Sequence, residues 1–331
     1  MNKSAELIIN QYIKPDEPVI IGISGGPDSV YLLLQALKKT SNVIVAHINH
    51  KTRGRANTLD QKFVEGLAKN HNLTFELHTV EHRVSGNQEQ YYRRERYAFF
   101  EKLREKYKAQ WILVAHHLND NIETVLFNLT KGSFLDGLTG MEAVNHRRHI
   151  LRPLIFTTKD EILTHLHKTK TPYRKDKTND DTDYSRNRIR HNVIPELKSI
   201  NENLEQTFAG NIVNLQELKE YFDDVTATWI DRNHHKNYLS LAEFKKIHPI
   251  LQKNVIYQLY AHIYGEGKKI NQKHLEQILK IIHQSASNRK KEFGKTHYLS
   301  IQKKDGQKVI SITRKKGEAE GKYAGKKAKR K

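Results

Sequence analysis

The run Ser24-Gly25-Gly26-Pro27-Asp28-Ser29 joins an apolar segment, Pro18 to Ser24, to an amphipathic one, Pro27 to Lys39. The first reads as a strand and the second as a helix, and the turn between such a pair is where phosphates are bound. Gly25 and Gly26 permit backbone angles and close approaches that a Cβ would block. The first free N–H groups of the helix point at the anion, and Pro27 fits a first helical turn that has no use for its missing N–H. A glycine-rich turn with Asp28 or Ser29 as helix cap accounts for each residue singly. It does not account for the set, since five specified residues at average usage coincide about once in a million positions. The loop lacks the GxxxxGK[ST] lysine that grips β- and γ-phosphates, which disfavours kinase or motor chemistry.

Four further groups could share a site with that loop. Asp120 and Glu123, three residues apart on an expected helix, put two carboxylates on one face. Exposed helices carry many such doublets, so without the surrounding motif solvation is the favoured explanation of this one. Arg93 and Arg96 stand one helical turn apart, where they could clamp a phosphate or stabilise its charge, or else form a basic face with Tyr97 in the core. His47, His50, His116 and His117 invite a zinc hypothesis, but there is no HExxH, no cysteine and no carboxylate triad at ligand spacing. They read instead as strand-end residues that shape a nucleotide pocket. Arg186, Asn187, Arg188 and Arg190 close a polar stretch, Lys168 to His191, that reads otherwise as a solvated loop. They suit phosphate and base contacts to RNA, or an ion-pair network with Asp180, Asp181 and Asp183.

The elements that must position these residues follow from patterning. Strands are expected at Pro18 to Ser24, Val43 to Ile48, Thr74 to Val80 and Trp111 to Ala115, each separated from the next by a helical segment. Parallel neighbours need such crossovers, so the fold class is α/β, a doubly wound and mostly parallel sheet, over residues 1–200. A long helix follows, with Leu204, Phe208, Ile212, Leu215, Leu218, Phe222, Val225 and Trp229 spaced by threes and fours as a buried seam. Helices at Ile250 to Tyr264 and Asn271 to His283 and a closing hairpin at Tyr298 to Gln302 and Val309 to Thr313 complete a helical appendage over 201–314. Residues 315–331 read as a basic disordered tail.

The chain has 331 residues, 57 Lys and Arg against 37 Asp and Glu, and a formal net charge of +20. The stretch from Arg314 to Lys331 carries +7 of it, so the rest is basic as well, and such a field attracts polyanions. Nucleic acid is the expected partner. The absence of cysteine excludes disulfides, thiolate metal sites and any catalytic thiol or persulfide. Neither a signal-peptide core nor a membrane-length apolar run is present, so a cytoplasmic protein with no membrane partner is expected.

SGGPDS resembles the SGGxDS loop of the ATP pyrophosphatase (PP-loop) superfamily, whose Rossmann-like members cut ATP between its α- and β-phosphates and leave an adenylated substrate. The blocks AHINHKTR (46–53), RRERY (93–97), AHHLNDNIETVLFNLTKGSFLDGLTGM (115–141), LRPL (151–154) and RNRIRHNVIPEL (186–197) are similar in order and spacing to those of the tRNA(Ile)-lysidine synthase family. The similarity is close over residues 17–200 and looser to about 314. The resemblance implies ATP and Mg²⁺ as cofactors and two partners, free L-lysine and the CAU anticodon of tRNA(Ile). The implied reaction is ligation of lysine to C2 of the wobble cytidine through an adenylated cytidine, with release of AMP and pyrophosphate.

The resemblance also implies roles. Ser24, Gly25, Gly26, Pro27, Asp28, Ser29 and His50 would bind ATP, with the two serines donating to pyrophosphate. Asp28 would hold Mg²⁺ or the substrate amine. Asp120 and Glu123 would bind lysine, whose ammonium, with a reference pKa of about 10.4, must lose a proton to react. Arg93 and Arg96 would act in catalysis, and Arg53, Arg186, Asn187, Arg188 and Arg190 would contact tRNA. This chain departs from the family at Asn119, where many members have a second aspartate, and at Lys51 and Thr52, where Gly-Leu is common. It is also expected to lack the second C-terminal domain that longer members use on the acceptor stem. The alternatives are another adenylating enzyme, such as a tRNA thiolase or an amide ligase, and a non-catalytic RNA-binding protein with a relic loop.

Overall fold

The computed structural model describes residues 5–52, 54–80, 88–174, 185–235, 238–265, 270–284 and 290–315. Arg53, the aspartates at 180, 181 and 183, and the tail beyond Lys315 lie outside them. The chain divides into two compact units, Met1–Gln216 and Glu217–Lys331.

In chain order the first unit holds α1 (Ala5–Tyr12), β1 (Val19–Gly22), α2 (Pro27–Leu37), β2 (Val43–Asn49), α3 (Arg55–Asn70), β3 (Thr74–Thr79), α4 (Gln88–Lys106) and β4 (Trp111–Leu113). There follow α5 (Leu118–Thr130), α6 (Leu135–Leu138), β5 (Val144–Asn145), β6 (Ile150–Leu151), α7 (Lys159–Lys168), α8 (Ser185–Arg188), α9 (Ile194–Ile200) and the start of α10 (Leu204–Asn233). The strands form one sheet in the order β3-β2-β1-β4-β6-β5, parallel except for the short edge strand β5. Val19, Ile20 and Ile21 of β1 are buried on both faces of this sheet, as expected of an interior parallel strand. From β1 the order steps one way to β2 and the other way to β4. That reversal opens a crevice at the carboxyl ends of β1 and β4, the usual binding place in open α/β sheets.

Two local features aim helices at the crevice. Gly22 ends β1 beneath the Phe100 ring of α4, where a Cβ would stand 2.5 Å from Cζ, so only glycine lets α4 lie this close. Further on, the last residues of the stretch read as a loop, Ser185 to His191, are helical and run on to Ile200, with a π turn over Ile189–Val193. Pro195 has no N–H for the carbonyl of His191, and the Ile194 N–H reaches back five residues to Ile189.

The second unit contains the rest of α10, β7 (His234–His235), β8 (Tyr238–Ser240), α11 (Leu241–Lys246), α12 (Pro249–Tyr264), α13 (Gln272–Gln284), β9 (Lys290–Phe293), β10 (His297–Lys304) and β11 (Gln307–Arg314). The expected hairpin is present, with Tyr298 opposite Thr313 and Gln302 opposite Val309. It turns through Asp305 and Gly306, both at positive φ. It is the centre of a larger structure, a five-stranded antiparallel sheet ordered β7-β8-β11-β10-β9. Lys315, expected as the first residue of the free tail, is held: its N–H donates to Thr296 and its ammonium pairs with Glu292.

The buried seam expected along α10 is corrected in part. Leu204 and Ile212 are buried, but Leu218 and Val225 are 55% and 37% exposed. In the second unit the face of α10 that meets α12 is polar: Asn254 donates to Asp223 and Thr226, and Gln258 donates to Asp223. A helix turns about 100° per residue, so burying Thr226 turns Val225 outward.

Candidate active site

The phosphate loop is braced from within and from behind. Gly25 has φ of +91°, and its carbonyl accepts from the backbone N–H of Arg174 at 2.8 Å. A Cβ there would press on Phe63 and Val64 of α3 at 3.3 Å. Arg174 is itself tied to Asp60 of α3 at 2.9 Å. The Ser24 hydroxyl accepts from the Gly26 N–H, and the buried Ser29 hydroxyl donates to the Gly26 carbonyl at 2.9 Å. As found, then, the Ser29 hydroxyl stiffens the loop rather than facing outward, whereas Ser24 is exposed. Pro27 opens α2 with no side-chain cap, which leaves the first amides of the helix to an anion.

Three carboxylates meet beside this loop. Asp28, in the first turn of α2, and Asp120, in the first turn of α5, both approach His117 Nε2, at 3.8 and 3.6 Å. One turn further along α5, the Glu123 side chain is 4% exposed and takes two hydrogen bonds from Arg190, at 2.6 and 3.0 Å. Arg190 also reaches Asp120 at 3.5 Å. Burial raises the pKa of Glu123 and the guanidinium opposes that rise. On the other side, Lys159 places its ammonium 2.5 Å from Asp28.

Lys159 is seated by a route that runs through Asn119. It is the first residue of α7, behind a capping box in which Thr158 and Glu161 satisfy one another's backbone amides. Its own N–H donates to Asn119 Oδ1 at 2.9 Å, and Asn119 Nδ2 donates to the buried Glu205 at 3.3 Å. The amide accepts from one neighbour and donates to a carboxylate on the other side, which an ionised carboxylate in its place could not do. Asn119→Asp should therefore set two carboxylates against each other and lower stability by about 1–3 kcal/mol at neutral pH. Thermal denaturation checks this, and adding Glu205→Gln should recover most of the loss.

A second group lies on the α4 side. Arg152, after β6, donates from Nε to His116 Nδ1 at 3.3 Å and from a terminal nitrogen to the Glu142 carbonyl at 2.8 Å. Burial, offset in part by Asp120 and reinforced by the charges of Arg152, Arg93 and Arg96, pulls the His116 pKa down to about 4, so the ring is neutral at pH 7. Arg93 also lies over the Tyr97 ring at 5.1 Å.

The other expected site residues have the following surroundings. His47 is buried and bonded to the Ile23 carbonyl at 2.8 Å, which makes it part of the sheet's support. His50 lies against Tyr92, with ring centroids 4.7 Å apart. Arg186 lies over Phe127 at 5.9 Å, and Arg188 is exposed. Arg190, grouped with these by sequence as an RNA contact, instead occupies the carboxylate pocket. Lys159 and Arg152 were not singled out from the sequence. A cation at the first position of a capped helix opposes the helix dipole, and that local conflict was the available signal for Lys159.

A family model described as the PP-loop domain matches residues 1–197. The chain belongs to the PP-loop family. Among PP-loop relatives, a tRNA(Ile)-lysidine synthase of Bacillus cereus is 32% identical over 270 residues, 76% of this chain and 56% of that protein. One from Bacillus subtilis is 36% identical over 219 residues, covering 63% of this chain and 46% of that one. One from Porphyromonas gingivalis is 33% identical over 235, covering 69% and 51%. This PP-loop chain thus spans about half the length of the relatives it matches. Among solved structures, a U34-tRNA thiolase from Methanococcus maripaludis superposes with a TM-score of 0.51 at 18% identity, over 64% of this chain and 78% of that one, which shows the shared PP-loop fold.

Proposed function

We propose that the protein is a tRNA(Ile)-lysidine synthase, a ligase that uses ATP to attach L-lysine to C2 of the wobble cytidine in the CAU anticodon of tRNA(Ile). The product then decodes AUA rather than AUG. The observation that carries this reading is the pocket beside the phosphate loop, where Asp28, Asp120 and Glu123 converge and already hold two cationic side chains. A pocket with that charge suits an ammonium next to a nucleotide. The similarity to lysidine synthases over most of the chain supports it.

In the first step the cytidine O2 attacks the α-phosphorus of ATP and pyrophosphate leaves. In the second, the lysine ε-amine attacks C2 and AMP leaves. The loop amides and Ser24 hold the phosphates, while Asp120 and Glu123 bind the ammonium, hold it facing the base and take up the proton it loses before attack. Among the described residues no three His, Cys, Asp or Glu side chains gather to hold a metal by themselves. Mg²⁺ commonly takes one or two carboxylates and completes its shell with phosphate oxygens and water. Asp28 fits that use, since its carboxylate accepts a cation in this structure. Mg²⁺ would neutralise phosphate charge there. We assign anticodon-arm contacts to Arg186, Asn187 and Arg188, and further tRNA contacts to residues 201–314. The site of action is the cytoplasm, and among the described residues no helix is long and apolar enough to cross a membrane.

Purified protein with ATP, Mg²⁺, labelled lysine and tRNA(Ile) should release AMP only when both lysine and the cytidine-bearing tRNA are present. The RNA should gain the mass of one lysine less one water. AMP release that needs no lysine would replace this reading with another adenylating activity.

A further inference from the structure

Arg152 is 9% exposed, yet it makes no ion pair with any described carboxylate. Its hydrogen-bond partners are the His116 ring and the Glu142 backbone carbonyl, both neutral acceptors. Burial lowers its pKa and the nearby Arg93 lowers it further, while Tyr97 and the Glu142 carboxylate oppose the fall without reversing it. A buried guanidinium among other guanidiniums is expensive unless an anion completes the group. Its bond to His116 has a second consequence. A guanidinium can only donate, so His116 Nδ1 must accept, and the ring's one proton is on Nε2.

We propose that Arg152 is a positioning residue that locks His116 as the neutral Nε2–H tautomer, so that this N–H, together with Arg93 and Arg96, donates to an oxygen of a bound phosphoryl group. The phosphoryl group belongs either to the nucleotide or to the RNA backbone. A neutral donor suits this role because it stabilises charge without giving its proton away. The inference rests on the phosphate-handling part of the proposed function and not on the identity of the amino acid. The charged and titratable groups around the pair are Asp120 from α5, Arg93, Arg96 and Tyr97 from α4, and Glu142 before β5.

The test measures binding of AMP, of adenosine and of an anticodon stem-loop RNA to the full chain and to His116→Phe, His116→Gln and Arg152→Met. His116→Phe and Arg152→Met should weaken one phosphate-bearing ligand at least about tenfold, with adenosine unchanged. His116→Gln keeps a donor near the Nε2 position and should restore most of the loss. A loss confined to AMP assigns the nucleotide phosphate; a loss confined to RNA, with a shallower salt dependence, assigns the backbone. Should Arg152→Met fail to fold, ¹⁵N-histidine spectra of the unaltered protein decide. The expected signal is a neutral Nε2–H ring at pH 7 that shifts when AMP or RNA is added. An Nδ1–H or charged ring, or undiminished AMP and RNA binding by His116→Phe, overturns the proposal. Failure of lysine transfer with these results intact sinks only the earlier reading.

Discussion

Asp28→Asn is expected to leave the fold intact and to cut ATP-dependent pyrophosphate release by about 10³-fold. The substitution preserves shape at the second residue of α2 and removes one negative charge at the point where the phosphate loop meets the carboxylate pocket. Asp28 holds the Lys159 ammonium at 2.5 Å and stands 3.8 Å from His117, so it is the one acid shared between the nucleotide side and the amine side. An amide can neither bind Mg²⁺ with the same strength nor hold a cation against a phosphate. Its side chain is 27% exposed, so stability should move by less than about 1 kcal/mol. Pyrophosphate release with tRNA present measures the effect, and a rate within tenfold of the parent would remove Asp28 from the reaction.

Glu123→Gln is expected to act on the amino acid. Its side chain is almost wholly buried and accepts both hydrogen bonds of the Arg190 fork. With the charge gone, Arg190 keeps one neutral acceptor at position 123 and the longer ion pair to Asp120, and the pocket loses half of the pair that would hold an incoming ammonium. We expect the lysine KM to rise about 100-fold with a smaller change in kcat, and ATP use in the adenylation step to be nearly unchanged. Stability should fall by about 1–3 kcal/mol, below the usual cost of breaking a buried pair because Arg190 is 37% exposed. A lower melting temperature with an unaltered lysine KM would make Glu123 a structural acid only.

The parallel sheet was legible because its strands are short, apolar and separated by amphipathic segments, and the phosphate loop because its residues follow one strand and start one helix. Asp120 and Glu123 could be placed on one face by helical period alone. The partners of those acids could not, since Arg190 arrives from 67 residues away on a π turn that no simple periodicity describes. Lys159 arrives 131 residues after Asp28, on a helix whose start is visible in Thr158 and Glu161 but whose direction is set by Asn119. The role of Asn119 was opaque for the same reason: its meaning depends on Glu205, and nothing local links the two. The α10 seam holds only in part because an apolar stripe reports only what could be buried, and in the second unit the polar network of Asp223, Thr226 and Asn254 decides which side is.

The side chains gathered beside the phosphate loop have one more implication, which concerns electrical balance. Three acids face one guanidinium and one ammonium, so the pocket is close to neutral before any substrate arrives. A polyphosphate and a polynucleotide can therefore approach without crossing a repulsive field, in a protein whose overall charge already draws them in. Lys159 is anchored by its backbone at Asn119, and its ammonium covers Asp28. An incoming phosphate that drew this ammonium away would leave Asp28 open to a second cation.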